Sequence, residues 1–250
     1  MTNATTAPDP RRGVLGRVTG VFYWFLLVEV CFLLAALPGF VGILLLDRSA
    51  SNIPLYALCA LPIAPAFSAA MSALAARSRA DDLSVWPRYW RAYRQNVGDV
   101  LWVWVPTLAA ACVLGITIAF GAAAGVDGFF VGAAAVFLVV LAVWSSHTLV
   151  IASLFRFRAR DVARLALYYL AARPLVTIGA LSYLVLALAV VAFTTDVVLA
   201  LTAVVFAAFS LVNARAMTAD ISERFVAGGA RAAAANPRDY ARRRGSSTGP

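Results

Sequence analysis

Six mostly apolar runs dominate the chain: residues 20–46, 54–76, 100–123, 128–154, 174–195 and 197–213. Crossing about 30 Å of hydrocarbon takes roughly 20 mostly apolar residues in a helix, and each run meets or approaches that length. None of them alternates apolar and polar residues, as the strands of a lipid-embedded barrel must. Without water to satisfy the backbone, an apolar run of this length has to close its own hydrogen bonds, and only a helix does so within one segment. The pattern therefore predicts an all-α polytopic membrane protein with six transmembrane helices in three hairpins.

The connecting segments differ in character. Residues 47–53, 124–127 and the bend at 195–196 are short, and each carries an Asp. Residues 77–99 and 155–173 are longer and rich in Arg. Within the first long loop, Trp86, Tyr89, Trp90 and Tyr93 recur at helical spacing among Arg88, Arg91 and Arg94, with Asn96 closing the stretch. Within the second, Leu165, Ala166, Tyr168, Tyr169 and Leu170 stand between Arg164 and Arg173. Arg with Trp and Tyr is the composition of a helix at head-group depth, so both loops are expected to hold interfacial amphipathic helices. The organisation read from this is a disordered N-terminus over 1–12, a membrane domain over 13–226 and a disordered basic tail over 227–250.

Composition strengthens the membrane reading. Of 250 residues, 62% are apolar and 13% charged, with a mean hydropathy of +0.84. A soluble domain is near one quarter charged, and a water-surrounded core could not hide this much apolar surface. The 21 basic residues are all Arg, and Arg48 alone falls on the side opposite the segment before the first run, the two long loops and the segment after the sixth run. Cytoplasmic loops concentrate Lys and Arg, so both termini are expected in the cytoplasm of a bacterial plasma membrane. The net charge of +9 then faces anionic lipid head groups rather than nucleic acid. The first run exceeds the length of a signal h-region, which reads as an uncleaved first helix. Cys31, Cys59 and Cys112 all fall in apolar runs without paired spacing, as small packing residues do.

Candidate chemistry is sparse. The chain has no phosphate-binding loop with Lys, no paired-His zinc motif and no nucleophile elbow, and its single His excludes many metal and triad schemes. No catalytic role, metal or cofactor is expected. Glu29 stands about nine residues into the first run, roughly 13 Å deep. A carboxylate there is either a proton or cation site or an interhelical hydrogen-bonding group. His147, flanked by Ser145, Ser146 and Thr148, lies at a similar depth and is its candidate partner. The alternative is that this polar patch bonds to its own helix. Pro62, Pro65 and Pro106 are candidate kink positions, and two Gly-x-x-x-Gly spacings, 121–125 and 128–132, are candidates for close backbone approach.

The segment Pro62-Ile-Ala-Pro65-Ala66, then Ala69 and Ala70, Trp86, Tyr89-Trp90-Arg91, Tyr93-Arg94-Gln95-Asn96 and Trp102, resembles the YesL-like family of bacterial integral membrane proteins, a domain of unknown function (DUF624). The resemblance is clearest over residues 20–104. Where that family carries Asn then Trp in its first span, this chain reads Leu27-Val28-Glu29-Val30-Cys31. The resemblance implies an accessory or assembly role beside the permease subunits of a carbohydrate ABC transporter. The alternative is a small independent transporter or ion-coupled carrier using Glu29 and the 145–148 patch. Membrane lipids are expected partners in either case.

Overall fold

The computed structural model describes residues 14–77 and 84–227; the expected disordered ends fall almost wholly outside them. Ten α-helices account for nearly all of these residues, and no strand is present among them. They are α1 (Val14–Leu45), α2 (Ile53–Cys59), α3 (Ile63–Arg77), α4 (Val85–Phe120), α5 (Gly128–Leu154), α6 (Ala159–Ala172), α7 (Pro174–Phe193), α8 (Asp196–Leu201), α9 (Ala203–Asn213) and α10 (Arg215–Ile221). Four helices are individually long and apolar enough to cross a membrane: α1 from Thr19, α4, α5 and α7. Two bent pairs, α2 with α3 (44°) and α9 with α10 (55°), bring the number to as many as six.

The α2–α3 bend has a local cause. Pro62 lacks the N–H that would continue the ladder, and the chain turns through Ala60 and Leu61 before α3 begins. The loosened carbonyl of Ala60 is met by the indole N–H of Trp104 on α4 at 3.0 Å. On the other side, α1 presses Gly39 and Gly42 against Cys59: a Cβ on Gly39 would lie 2.3 Å from its carbonyl oxygen, and one on Gly42 2.4 Å from its Sγ. These glycines and Gly179 join Gly121 of the expected pairs in close approach, where a Cβ on Gly121 would come within 2.9 Å of Val131 on α5. A Cβ on Gly128 or Gly132 would meet nothing within 4 Å, and Gly125 serves a turn, with φ at +73°. The other two prolines break nothing. Pro65 sits in the first turn of α3, where a missing donor costs least, and Pro106 faces outward within an unbroken α4.

Helix α3 is the hub, packing on α1, α4, α5 and α9. Its Ala64, Ala66, Ala69, Ala70 and Ala73 are all buried, so short side chains let four neighbours close around it. A buried polar chain ties three of these helices. Ser153 of α5 donates to Ser68 of α3 at 2.8 Å, Ser72 donates to the Ser153 carbonyl at 2.7 Å, and Asn96 of α4 donates to Ser72 at 3.2 Å.

The first long loop corrects the expectation of a separate interfacial helix. Residues 85–96 are the opening turns of the 36-residue α4. Tyr89 is fully buried and donates its hydroxyl to the Ala66 carbonyl at 3.0 Å. Trp90 and Tyr93 pack against the same core, Asn96 joins the serine chain, and only Trp86, Arg91 and Arg94 remain exposed as expected. The aromatic spacing is helical because one face of it belongs to the protein core. The second loop does form its own helix, α6, whose Val162, Ala166 and Tyr169 are buried at one-turn intervals.

Candidate functional site

Glu29 and His147 do not pair; each meets other groups. The sixth apolar run is broken at Thr202, and the backbone donors freed at the start of α9 need an acceptor. Glu29, reaching across from α1, accepts the N–H of Val204 at 3.0 Å with that of Ala203 beside it. A carboxylate at a helix N-terminus meets both orphan donors and the positive end of the helix dipole. Of the two readings of Glu29, the interhelical bond is the one seen, although its other oxygen is buried without a partner.

The polar patch on α5 is divided by helix geometry. Consecutive residues stand about 100° apart around the axis, so four in a row cannot share one face. Ser145 and Ser146 face the interior of the bundle, Thr148 faces α4, and His147 faces α7, α9 and α10. Each also bonds to its own helix: Ser145 to the Ala142 carbonyl at 2.8 Å, Ser146 to that of Val143 at 2.7 Å, and Thr148 to that of Trp144 at 2.8 Å. His147 directs Nδ1 at the Val143 carbonyl, 2.9 Å away, and Nε2 is buried without a partner. Among the described residues, no three His, Cys, Asp or Glu side chains gather as a metal-binding group.

At the centre lies a cavity of about 330 Å³ walled by α1, α3, α4, α5, α7, α8 and α9. Phe32, Phe40, Ile43, Phe67, Leu149 and Phe206 make most of its surface apolar. At one end stand the hydroxyls of Ser145, Ser146, Tyr183 and Ser210, with Tyr183 placed against Ser146 and Ser210. At the other end is Asp196, whose carboxylate is paired with Arg48 at 2.9 Å. Glu29 does not line the cavity, but its hold on Ala203 fixes one wall.

A second crevice, near 670 Å³, opens at the Arg-rich end between Phe25, Ser72, Ser153, Arg215 and Thr218. Phe67 and Leu149 belong to the first cavity, Ser72 and Ser153 to the second. Four or five residues, roughly 6–8 Å of helix, separate the two. At that same end Tyr169 of α6 donates to Asp220 of α10, which also pairs with Arg173 at 3.3 Å and Arg224 at 3.0 Å.

Residues 22–118 match a family described as a protein of unknown function, DUF624. The match covers less than half of the chain. The matched part runs from α1 almost to the end of α4, so it supplies Glu29, the α2–α3 bend and Trp104. The second half of the cavity, with Ser145, Ser146, Tyr183 and Ser210, lies beyond it. No curated protein and no solved structure matches the chain.

Sequence reasoning passed over Tyr183 and Ser210. Their only signal is that α7, with Ser182 and Tyr183, and α9, with Ser210, carry hydroxyls within apolar runs, and position alone does not say which faces meet.

Proposed function

We propose that this protein spans the bacterial plasma membrane six times with both termini in the cytoplasm, and acts as an accessory or assembly partner of a carbohydrate ABC transporter rather than as its own sugar carrier. The sixth span in this reading is α8 with α9, whose 18 residues (196–213) cover roughly 27 Å. The orientation rests on the Arg distribution: Arg48 is the single basic residue at the Asp-bearing end, and it is neutralised by Asp196.

The observation that carries the accessory role is the lining of the central cavity. A hexose brings about five hydroxyls, and each one buried without a partner costs roughly 1–3 kcal/mol. Against them the cavity offers four hydroxyls, three of which already donate to helix carbonyls. Sugar would pass more readily elsewhere, so the sugar-linked role implied by the family resemblance falls to contacts with a permease.

Purification from native membranes tests this. An ABC permease should co-purify, deletion of the chain should lower sugar uptake, and the reconstituted protein alone should move no sugar. Recovery of the protein only with copies of itself, with sugar uptake unchanged by its deletion, would sink the proposal.

A second reading, an independent carrier, draws support from the two crevices separated by about one helical turn. Its cargo would have to suit an apolar path. Transport of such a solute by reconstituted protein, absent in an Ala187→Phe variant that narrows the cavity, would favour it.

A further inference from the structure

We propose that the central cavity is a binding site for a single-chain amphipath of about ten to twelve carbons whose head is neutral and donates a hydrogen bond. Four features of the cavity lead to this class of ligand. Its volume is about 330 Å³. A methylene occupies about the same space as a water, roughly 30 Å³, so roughly eleven chain groups fill it.

The wall excludes other classes. Phe32, Phe40, Ile43 and Phe67 offer nothing to a solvated ion or a polyol. The polar end carries no charged side chain, so an anionic or cationic head would be left unpaired there. Charge in the lining is confined to Asp196 at the opposite end, already held by Arg48.

The hydrogen bonding at the polar end sets the head. Ser145, Ser146 and Ser210 have spent their protons on the carbonyls of Ala142, Val143 and Phe206. Their oxygens remain acceptors, and the proton of Tyr183 can serve only one of them. What the end lacks is a donor. A primary alcohol or a secondary amide supplies one, with its chain laid toward Phe40 and Ile43. A mostly apolar pocket with a few convergent polar groups is the usual form of a small-molecule site. This ligand is independent of the accessory role proposed above and leaves it untouched.

The test uses the full-length protein in phosphatidylcholine vesicles and a twelve-carbon primary alcohol carrying a mid-chain diazirine. Photolysis should label peptides spanning 142–149 and 183–187. Excess 1-dodecanol should abolish the label. Dodecane, lacking the donor, should compete roughly five- to tenfold less well than dodecanol, the worth of one hydrogen bond. Ala187→Phe should remove the label, whereas Leu188→Phe, on the outward face, should keep it. Label spread evenly over outward-facing residues such as Leu188 and Phe193 and resisting competition overturns the site. Equal competition by dodecane and dodecanol overturns the hydrogen-bonded head. Should Ala187→Phe fail to fold, the competition series in the unsubstituted protein decides the matter.

Discussion

The Glu29 carboxylate on α1 accepts the backbone N–H of Val204 at the start of α9, 3.0 Å away, across 175 positions of sequence. That bond explains how a break inside an apolar run is tolerated. Donors orphaned in hydrocarbon cost several kcal/mol each, and here an acidic side chain from another helix takes them up. It also accounts for an acidic residue at this depth without calling on chemistry.

Glu29 should therefore respond to loss of its acceptor oxygen more than to loss of its charge. Glu29→Gln keeps an oxygen for Val204 and should leave thermal unfolding in detergent nearly unchanged. Glu29→Leu removes the cap and should cost about 1–2 kcal/mol. Equal damage from the two substitutions would point to the charge instead, and loss of a transport activity in Glu29→Gln alone would revive the ion-coupled reading.

Gly179 and Asn213 make a second tight contact. A Cβ on Gly179 would come within 2.0 Å of the Asn213 side chain, which donates to the Val176 carbonyl at 2.8 Å. Gly179→Ala should destabilise by about 1–3 kcal/mol through overpacking. Combined with Asn213→Ala, its cost should shrink, because the second change removes the atoms it strikes. Strict additivity in a double-mutant cycle would show that the two sites do not touch.

Tyr169 gives the clamp between α6 and α10 a dependence on pH. Burial, then the hydrogen bond to Asp220, pushes its hydroxyl from the ordinary 10.0 up to about 12. A raised acid holds its proton more tightly in the folded state. Its contribution is thus complete below pH 10.0 and vanishes as pH climbs through about 12. Hydrogen exchange of α10 should accelerate across that window, and in Tyr169→Phe the exchange should be faster at neutral pH and lack the step.

The serine–asparagine chain joining α3, α4 and α5 predicts a modest cost for each member. Ser153→Ala removes donation to Ser68 and should lower stability by about 0.6–1.7 kcal/mol, the range for hydrogen bonds between membrane helices. Tyr89→Phe, which strands the Ala66 carbonyl, should cost about as much. Thermal unfolding of the two variants side by side would show it, and no loss in either would mean that water replaces these bonds.

The helices were legible where burial in lipid is a property of the residues themselves. The run over 128–154 coincides with α5, and the run over 174–195 outlasts α7 by two residues. The bend at Pro62 followed from a missing donor. The reading failed where a face mattered. The aromatics at 86–93 were assigned to lipid because their spacing and composition fit an interface, yet Tyr89 points into the core because α3 offers it alanines and a carbonyl. His147 and Thr148, adjacent in sequence, turn to different neighbours for the same reason.

By itself, then, the sequence determined that this chain is a set of apolar helices with Arg gathered beside some of their ends, since transfer from water to lipid depends on what each residue is. Only the tertiary structure decided that Glu29 caps a broken helix, that Gly39 and Gly42 admit Cys59, and that Ser145, Ser146, Tyr183 and Ser210 share one cavity. Those outcomes depend on how far each helix is rotated about its axis. In a bilayer, where lipid tails are as apolar as leucine, that rotation is settled by small residues and hydrogen bonds between helices rather than by hydropathy.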